Sequence, residues 1–249
     1  MRTTDLNADV GELPDLATVE EELLGVVTSV NVACGGHAGD EASMERVVRA
    51  ALARGVAIGA HPSYPDRAGF GRRGMSLPGG LLAGTVAEQL ASLLEVAARC
   101  GARLSHVKPH GALYNAAAKD PDLARAFAEG VARVAPGVVL VGLAGSEMLE
   151  AFAGAGFRVA GEAFADRGYE PDGTLIPRSR AGAMKETPED AARQALSIVL
   201  DGQVVAAGGA RVRLDAQTIC LHSDTPGAPA FARAIAERLR AAGVVLRAL

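Results

Sequence analysis

The feature that most constrains this sequence is a regular alternation of short apolar runs with longer amphipathic stretches. Seven runs have the length and the β-branched, apolar composition of strands: residues 4–9, 28–33, 56–60, 104–108, 138–143, 157–161 and 217–222. Three of the amphipathic stretches between them start at helix-capping residues, namely Asp40, Asp120 and Thr187. Because strands that alternate with helices form a parallel sheet covered by helices, the pattern predicts an α/β fold.

The number of these units decides between an open and a closed sheet. Seven strand and helix units in 249 residues fit a barrel better than an open nucleotide-binding sheet. We therefore predict a single seven-stranded parallel β/α barrel of the TIM-barrel type. The sequence contains neither a linker-like segment nor an internal repeat, so we expect one domain over residues 1–249.

Composition narrows the classes of partner. The 25 basic and 29 acidic residues give a net charge of −4, which supplies no field for holding nucleic acid. Three widely spaced cysteines without a C-x-x-C pair argue against a disulfide framework. The N-terminus lacks signal-peptide features, and the longest apolar stretch, near residues 138–144, is far shorter than the roughly 20 residues of a membrane span. We expect a cytoplasmic protein that binds neither nucleic acid nor membrane.

Histidines and charged residues gather where the predicted strands end. Parallel α/β folds build their active sites at the carboxyl ends of their strands. Nine chemically active residues fall at or just beyond these ends: Asp9, His37, His61, Lys108, His110, Glu162, Asp166, His222 and Asp224. We expect seven of their side chains to converge on one mouth of the barrel, those of Asp9, His37, His61, Lys108, His110, Glu162 and His222.

The first strand carries alternating polar residues. Asp5, Asn7 and Asp9 project from one face of a strand, and Asp9 lies nearest the rim. A buried carboxylate needs a partner, or its pKa shifts. The pattern favours Asp9 as a general base or a metal ligand, with a hydrogen-bonded strand end as the alternative.

The fourth strand ends in a second polar stripe made by His106, Lys108 and His110. A lysine among barrel-lining groups can hold an anionic substrate or a developing oxyanion, and His110 can move protons near neutral pH. A cation beside His110 predicts a lowered pKa, and therefore a neutral imidazole at pH 7. For His106 a hydrogen-bonded role in the core is the better interpretation.

Two long loops add arginines to the predicted mouth. Arg72 and Arg73 lie in residues 59–74, and Arg167 lies in residues 162–186. Guanidinium groups clamp carboxylate or phosphate groups, so these residues are predicted to bind substrate, although a solvated pair is the alternative for Arg72 and Arg73. Long ordered loops at a barrel rim usually form a lid or a binding wall.

Six stretches in register carry a resemblance to a known family. They read DLNADVGE, NVACGGHAGD, GAHPSYPDRAGFGRR, HVKPHGALYN, EAFADRGYEPDGTLIPRSRAGA and CLHSDTPGA. In this order they resemble the LamB/YcsF family over the whole chain. The resemblance implies a seven-stranded β/α barrel related to the glycoside hydrolase/deacetylase superfamily. It also implies opening of 5-oxo-L-proline to L-glutamate, with ATP and its magnesium as co-substrate and with partner subunits B and C.

Residue roles follow from this resemblance and from the rim pattern together. Catalytic roles are assigned to Asp9, Lys108 and His110. Substrate-binding roles are assigned to Asn7, His37, His61, Arg72, Arg73, Glu162, Asp166, Arg167 and His222.

Two other functions fit the same residues. One is a metal-dependent amide hydrolase or deacetylase that uses Asp9, His37 and His61 with a bound water. We prefer a site without metal, because the histidines lie on separate strands without a tight ligand spacing. The other is a non-catalytic protein that only binds a small acid and serves partner subunits. The sequence also leaves open whether the protein forms a homo-oligomer.

Overall fold

Parallel strands and helices alternate along almost the whole chain. The computed structural model describes residues 2–249. The elements are β1 (Thr3–Val10), α1 (Ala17–Leu24), β2 (Ser29–Ala33), α2 (Glu41–Arg54), β3 (Ala57–His61), α3 (Gly79–Arg99), β4 (Leu104–Val107), α4 (Gly111–Ala117), α5 (Pro121–Ala132), β5 (Val139–Leu143), α6 (Glu147–Gly154), β6 (Arg158–Phe164), α7 (Pro188–Asp201), β7 (Gln203–Val205), β8 (Arg211–Arg213), β9 (Thr218–His222), α8 (Ala228–Ala241) and β10 (Val245–Leu246).

Seven of these strands close into a barrel. The order around it is β1-β2-β3-β4-β5-β6-β9, and β1 pairs in parallel with β9 to close the ring. The predicted seven strands and closed parallel barrel are confirmed. The short antiparallel hairpin of β7 and β8, and the pairing of β10 with β1, were not predicted. These segments have only two or three residues each, too few for an alternation to show.

The predicted helix starts are also confirmed. The Asp40 side chain accepts a hydrogen bond from the Ser43 backbone N–H at 2.8 Å, at the start of α2. Asp120 and Thr187 cap α5 and α7 in the same way. These short side chains satisfy N–H groups that a helix end leaves free, which explains why the starts could be located from the sequence.

The helix α3 is long and apolar enough, by length and composition, to span a membrane, and it is the one such helix in residues 2–249. In the fold it packs along α5 and α2. Its Leu82, Leu90 and Leu93 are completely buried, while Glu88 and Glu95 are not. This arrangement is typical of an amphipathic helix that covers a barrel.

The apolar core lies between the barrel and its helices, whereas the barrel interior is largely polar. Leu6, Ala8 and Val10 of β1 belong to the apolar core. Asp5 faces the other way and accepts hydrogen bonds of 2.6–2.7 Å from the hydroxyl groups of Thr28, Ser29 and Thr218. The carboxylate is therefore held by three donors at the bottom of the barrel. Asp5 has a structural role.

The next layer of the interior is held by two asparagines. Asn7 donates to Glu162 Oε1 at 3.0 Å and to Thr218 Oγ1 at 2.6 Å. Asn31 donates to Asn7 and to Asp9, each at 2.8 Å, and its carbonyl oxygen lies 2.8 Å from His106 Nε2. Both amides are therefore committed to the network beneath the catalytic layer. Asn7, predicted to bind substrate, is placed below the floor of the cavity.

Glycine at position 59 makes room for the histidine of this network. A Cβ atom at Gly59 would lie 2.2 Å from His106 Nε2, far inside a van der Waals contact. The His106 ring is buried among uncharged partners, and burial, with a smaller effect of Lys108, lowers its pKa to about 3. The interpretation of His106 as a core histidine agrees with these contacts.

Protein stability is expected to fall between pH 7.5 and pH 5 partly because of His106. The unfolded state takes up a proton near pH 6.5, whereas the folded state stays neutral until about pH 3, so stability is lost as the pH falls. This histidine accounts for about 2 kcal/mol of that loss. In His106→Gln, urea unfolding at the two pH values should show a correspondingly smaller difference. An unchanged difference would show that His106 takes up its proton over the same pH range in the folded and the unfolded state, which would contradict its lowered pKa.

Candidate active site

A cavity of about 510 Å³ opens at the carboxyl ends of the barrel strands. Seven of the twelve predicted site residues line it: Asp9, His61, Arg72, Lys108, His110, Arg167 and His222. Of the seven residues predicted to converge on one mouth, five line the cavity (Asp9, His61, Lys108, His110 and His222), whereas His37 and Glu162 do not. A cavity of this size is ordinary for a small-molecule site.

Lys108 lies on the floor of the cavity between two carboxylates. It follows β4 directly, and its backbone N–H donates to the Ala60 carbonyl oxygen at 3.0 Å. Its Nζ atom lies 2.9 Å from Asp9 Oδ1 and 3.0 Å from Glu162 Oε1. Only 2% of the residue is exposed, so this ion cluster is screened little by solvent.

The opposite charges in this cluster offset the free-energy cost of burying each other. Burial alone would lower the pKa of Lys108, but Asp9 and other nearby acidic groups raise it well above its ordinary value. Burial would likewise raise the pKa of Asp9, yet His61 and Lys108 hold it well below the ordinary value. Asp9 is therefore a weak base near pH 7. This property argues against Asp9 as the group that accepts a proton.

Two histidines stand beside this cluster with fixed orientations. His61 Nδ1 lies 2.9 Å from the Lys108 carbonyl oxygen, and His110 Nε2 lies 3.0 Å from the Phe70 carbonyl oxygen. A carbonyl oxygen only accepts, so each of these ring nitrogens carries the hydrogen. The other nitrogens, His61 Nε2 and His110 Nδ1, face each other at 3.0 Å. Asp9 Oδ2 lies 3.3 Å from His61 Nε2.

Glu12 completes this group and was not among the predicted site residues. Its Oε1 atom lies 3.3 Å from His110 Nδ1 and 3.1 Å from His37 Nε2. Its interactions with the two histidines outweigh burial and hold the pKa of Glu12 below its ordinary value. Strand alternation points to positions 5, 7 and 9, but Gly11 has a φ of 74°, which turns the chain and brings Glu12 back to the mouth. Its place in the stretch DLNADVGE is the sequence signal that could have marked it.

The pKa of His110 is lowered, in the direction predicted, but the predicted cause is wrong. Burial is the largest cause, and the charge of His61 adds to it. The Lys108 ammonium group instead contacts Asp9 and Glu162, which neutralise it. His110 is consequently a neutral imidazole at pH 7.

His37 lies behind this layer and does not line the cavity. Its ring stacks on His110 with centroids 3.6 Å apart, and burial lowers its pKa to about 4. Its Nε2 faces Glu12, so the conditional metal set of Asp9, His37 and His61 is wrong. In the described part of the chain, two groups of possible ligand atoms do converge, those of Glu12, His61 and His110 and those of Asp9, Cys220 and His222.

Asp166 orients His222 at the edge of the cavity. Its carboxylate lies 3.0 Å from His222 Nδ1 and accepts a hydrogen bond from Thr225 at 2.8 Å. Burial would raise its pKa, but the charge and hydrogen bonds of His222 lower it to about 2. The His222 ring also stacks on Phe164. Asp166 is therefore a positioning residue, and it does not line the cavity itself.

The loop of residues 162–186 forms one wall of the cavity, as predicted. Residues 174–178 of this loop line the cavity. Arg167 donates to the carbonyl oxygens of Ile176, at 2.6 Å, and Ala183, at 3.1 Å, so it mainly holds the loop in shape. Arg178, which was not predicted, lines the cavity together with Arg72.

Arg72 and Arg73, the two predicted arginines of residues 59–74, differ in their position relative to the cavity. Arg72 and Arg178 both bind the carboxylate of Asp224, with Arg178 at 3.0 Å. Arg73 lies outside the cavity lining, is exposed, and its guanidinium group reaches the Ala68 carbonyl oxygen at 3.4 Å. The solvated alternative therefore describes Arg73.

Two buried oxygen atoms near Lys108 have no hydrogen-bond partner within residues 2–249. They are the hydroxyl oxygen of Tyr114 and Oε2 of Glu162. Tyr114 lines the cavity, and burial together with Glu162 raises its pKa well above the ordinary value. It therefore stays protonated and can donate a hydrogen bond. The sequence offered a signal for it only in the stretch HVKPHGALYN.

Fold and site together define a β/α-barrel protein with a cavity, lined by three histidines, at the carboxyl ends of its strands, where barrel enzymes place their active sites. The sequence model of the LamB/YcsF family matches residues 4–249, and the chain belongs to this family.

Individual relatives are similar over nearly their full lengths. The chain is 49% identical to the A subunit of 5-oxoprolinase from Methylococcus capsulatus, covering 100% of this chain and 96% of that protein. It is 45% identical to the A subunit of 5-oxoprolinase from Mycolicibacterium paratuberculosis, covering 100% of this chain and 99% of that protein. The crystal structure of a lactam utilization protein from Thermus thermophilus superposes with a TM-score of 0.91 at 43% identity, covering 99% of this chain and 100% of that chain.

Proposed function

We propose that this protein is the A subunit of an ATP-dependent 5-oxoprolinase, a hydrolase that opens the lactam ring of 5-oxo-L-proline to L-glutamate. The observation that carries this proposal is identity of 45–49% over 100% of the chain to proteins named as the A subunit of 5-oxoprolinase. ATP with magnesium is the proposed co-substrate, subunits B and C are the proposed partners, and the cytoplasm is the proposed location.

The arginines at the rim can bind the carboxylate of 5-oxoproline. Arg72 and Arg178 already hold the carboxylate of Asp224 between them at the edge of the cavity. A substrate carboxylate is the same chemical group, and it can replace Asp224 on these two guanidinium groups. The lactam ring then extends from the rim toward the floor of the cavity.

After binding of the substrate carboxylate, the reaction requires stabilisation of the negative charge on the lactam oxygen. A lactam is a stabilised amide, and transfer of the terminal phosphoryl group of ATP to its oxygen, with release of ADP, makes the carbon electrophilic. Lys108 lines the cavity floor and is kept charged by Asp9 and Glu162. We assign to this ammonium group the stabilisation of negative charge on the activated oxygen.

The reaction also requires protons to move from the attacking water to the nitrogen of the lactam ring. Water adds to the activated carbon, and the ring C–N bond breaks as the nitrogen takes up a proton, which leaves an acyl phosphate. A second water then releases inorganic phosphate and L-glutamate. His110 is neutral and lines the cavity, so it can accept the proton of the attacking water and return it to the nitrogen. Asp9 is the weaker candidate because its pKa is held low by Lys108 and His61.

Release of L-glutamate from 5-oxo-L-proline tests the proposed function directly. With subunits B and C and MgATP, we expect glutamate to form together with ADP, and to depend on the presence of this chain. The matched control is the same mixture without ATP. Turnover by subunits B and C alone at the full rate would instead support a non-catalytic role for this chain.

A further inference from the structure

Three possible ligand atoms converge at the cavity floor, and a fourth lies beside them. The three are His61 Nε2, His110 Nδ1 and Glu12 Oε1, and Asp9 Oδ2 lies next to His61. Their separations along the chain of contacts are 3.3 Å from Asp9 to His61, 3.0 Å from His61 to His110, and 3.3 Å from His110 to Glu12. All four residues line the cavity.

The backbone determines which ring atoms face this point. The Lys108 and Phe70 carbonyl oxygens bind Nδ1 of His61 and Nε2 of His110, so these two nitrogens carry the hydrogens. In neutral rings the two facing nitrogens therefore present lone pairs to each other. A hydrogen-bond donor or a positive charge between them is needed to make this arrangement favourable.

Protons satisfy this group incompletely. One proton between His61 and His110 must serve both the facing ring nitrogen and the Glu12 carboxylate, which lies 3.3 Å from His110 Nδ1. Two protons place two N–H groups of like charge 3.0 Å apart in a buried site. A single divalent cation satisfies the two nitrogens and the carboxylates at the same time.

We propose that Glu12, His61 and His110 bind a divalent transition-metal ion of the zinc type, with Asp9 beside it. Their ligand atoms all lie within 4.8 Å of one another. A tetrahedral ion with metal–nitrogen distances of about 2.0–2.1 Å separates two nitrogen ligands by about 3.3 Å, so the rings need to move apart by only about 0.3 Å. Two imidazoles and one carboxylate suit such a metal better than magnesium.

The surrounding contacts are those of a metal site. Histidines that bind metals usually donate their other ring nitrogen to a carbonyl or a carboxylate, as His61 and His110 do here. His37 donates to the Glu12 carboxylate from behind and orients it. The cavity leaves the remaining coordination position open to water or ligand. Metal binding and the proton transfer assigned to His110 above use the same Nδ1 lone pair, so the two roles are alternatives, and the metal titration below decides between them.

Calorimetric titration with Zn²⁺ tests this site without any assay of activity. The chain is first treated with EDTA and dialysed, and we expect one ion to bind per chain. Binding should release protons, seen as a different heat in two buffers of unequal ionisation enthalpy, because metal and proton compete for the same lone pairs. Zn²⁺ should also raise the melting temperature. Absence of stoichiometric binding would overturn the proposal.

Two variants locate the ion. Glu12→Gln keeps the shape of the side chain and should weaken Zn²⁺ binding at least 10-fold. Cys220→Ser is the matched control, because Asp9, Cys220 and His222 form the other possible ligand group among the described residues. It should leave the affinity unchanged. Loss of binding in Cys220→Ser, with Glu12→Gln unaffected, would overturn the proposed ligand set.

The wild-type chain provides a readout that does not depend on how the variants fold. Co²⁺ bound by imidazole and carboxylate gives visible bands without the near-ultraviolet band of a cobalt–thiolate bond. We expect the spectrum of the Co²⁺-loaded chain to lack the thiolate band. A thiolate band would place the ion on Cys220 and contradict the proposal.

Discussion

Lys108→Met is expected to lower the free energy of unfolding by about 3–5 kcal/mol at pH 7. The substitution removes the one ammonium group that contacts both Asp9 and Glu162. Both carboxylates are more than nine-tenths buried, and without Lys108 at least one of them must remain unpaired or take up a proton. Urea unfolding followed by circular dichroism measures this change.

The pH dependence of this deficit separates lost charge pairing from lost packing. Without Lys108, a buried carboxylate that has lost its partner takes up a proton at a higher pH in the folded state than in the unfolded chain. The folded variant then binds more protons, and the destabilisation relative to wild type becomes smaller as the pH falls from 7 to 5. A deficit that stays constant over this range would show that packing of the lysine stem is what matters.

Two comparisons sharpen the result. Lys185→Met removes a lysine that has no ion pair at 4.0 Å or less in the described residues, and it should cost far less. The double variant Lys108→Met/Glu162→Gln should recover part of the loss, because the amide keeps an acceptor for Asn7 and carries no charge. No recovery in the double variant would argue against Glu162 as the unpaired charge.

His110→Ala is expected to lower the ATP-dependent turnover of 5-oxoproline by about 10²–10⁴-fold, the usual worth of a positioned acid–base group. The effect should fall on kcat more than on KM, because the proposed carboxylate-binding residues are Arg72 and Arg178. Steady-state glutamate release with subunits B and C present measures both constants.

Folding and complex formation need to be checked in the same variant. Removal of His110 takes away a stacking partner of His37 and a contact of Glu12, so the melting temperature and the binding of subunits B and C are measured alongside. Arg193→Ala, on the exposed face of α7, serves as the control for a surface change. Wild-type turnover in a folded, assembled His110→Ala complex would show that His110 moves no proton in the reaction.

The barrel could be predicted from the sequence because its signals are local. Apolar strands of at least four residues, the caps Asp40, Asp120 and Thr187, and helices between them each depend on residues close together in the chain. Parallel strands joined by helices then leave few possible topologies. The mouth of the barrel followed from the same rule, and it brought Asp9, Lys108 and other predicted residues together.

The division of roles among those residues depends on distances across the barrel, which no local pattern encodes. Only the tertiary structure shows that Lys108 is held by Asp9 and Glu162, and that His110 faces His61 and Glu12. Alternation could not reach Glu12, because Gly11 turns the chain out of the strand geometry before it.

The sequence by itself determined the order of strands and helices, the end of the barrel that carries the site, and the family, because these depend on periodicity and on residue identity. The tertiary structure decided which side chains touch the cavity, with Arg178 inside it and Arg73 outside. It also decided the charge states. The pKa of a buried group depends on burial and on partners a few ångströms away, which the fold brings from distant parts of the chain.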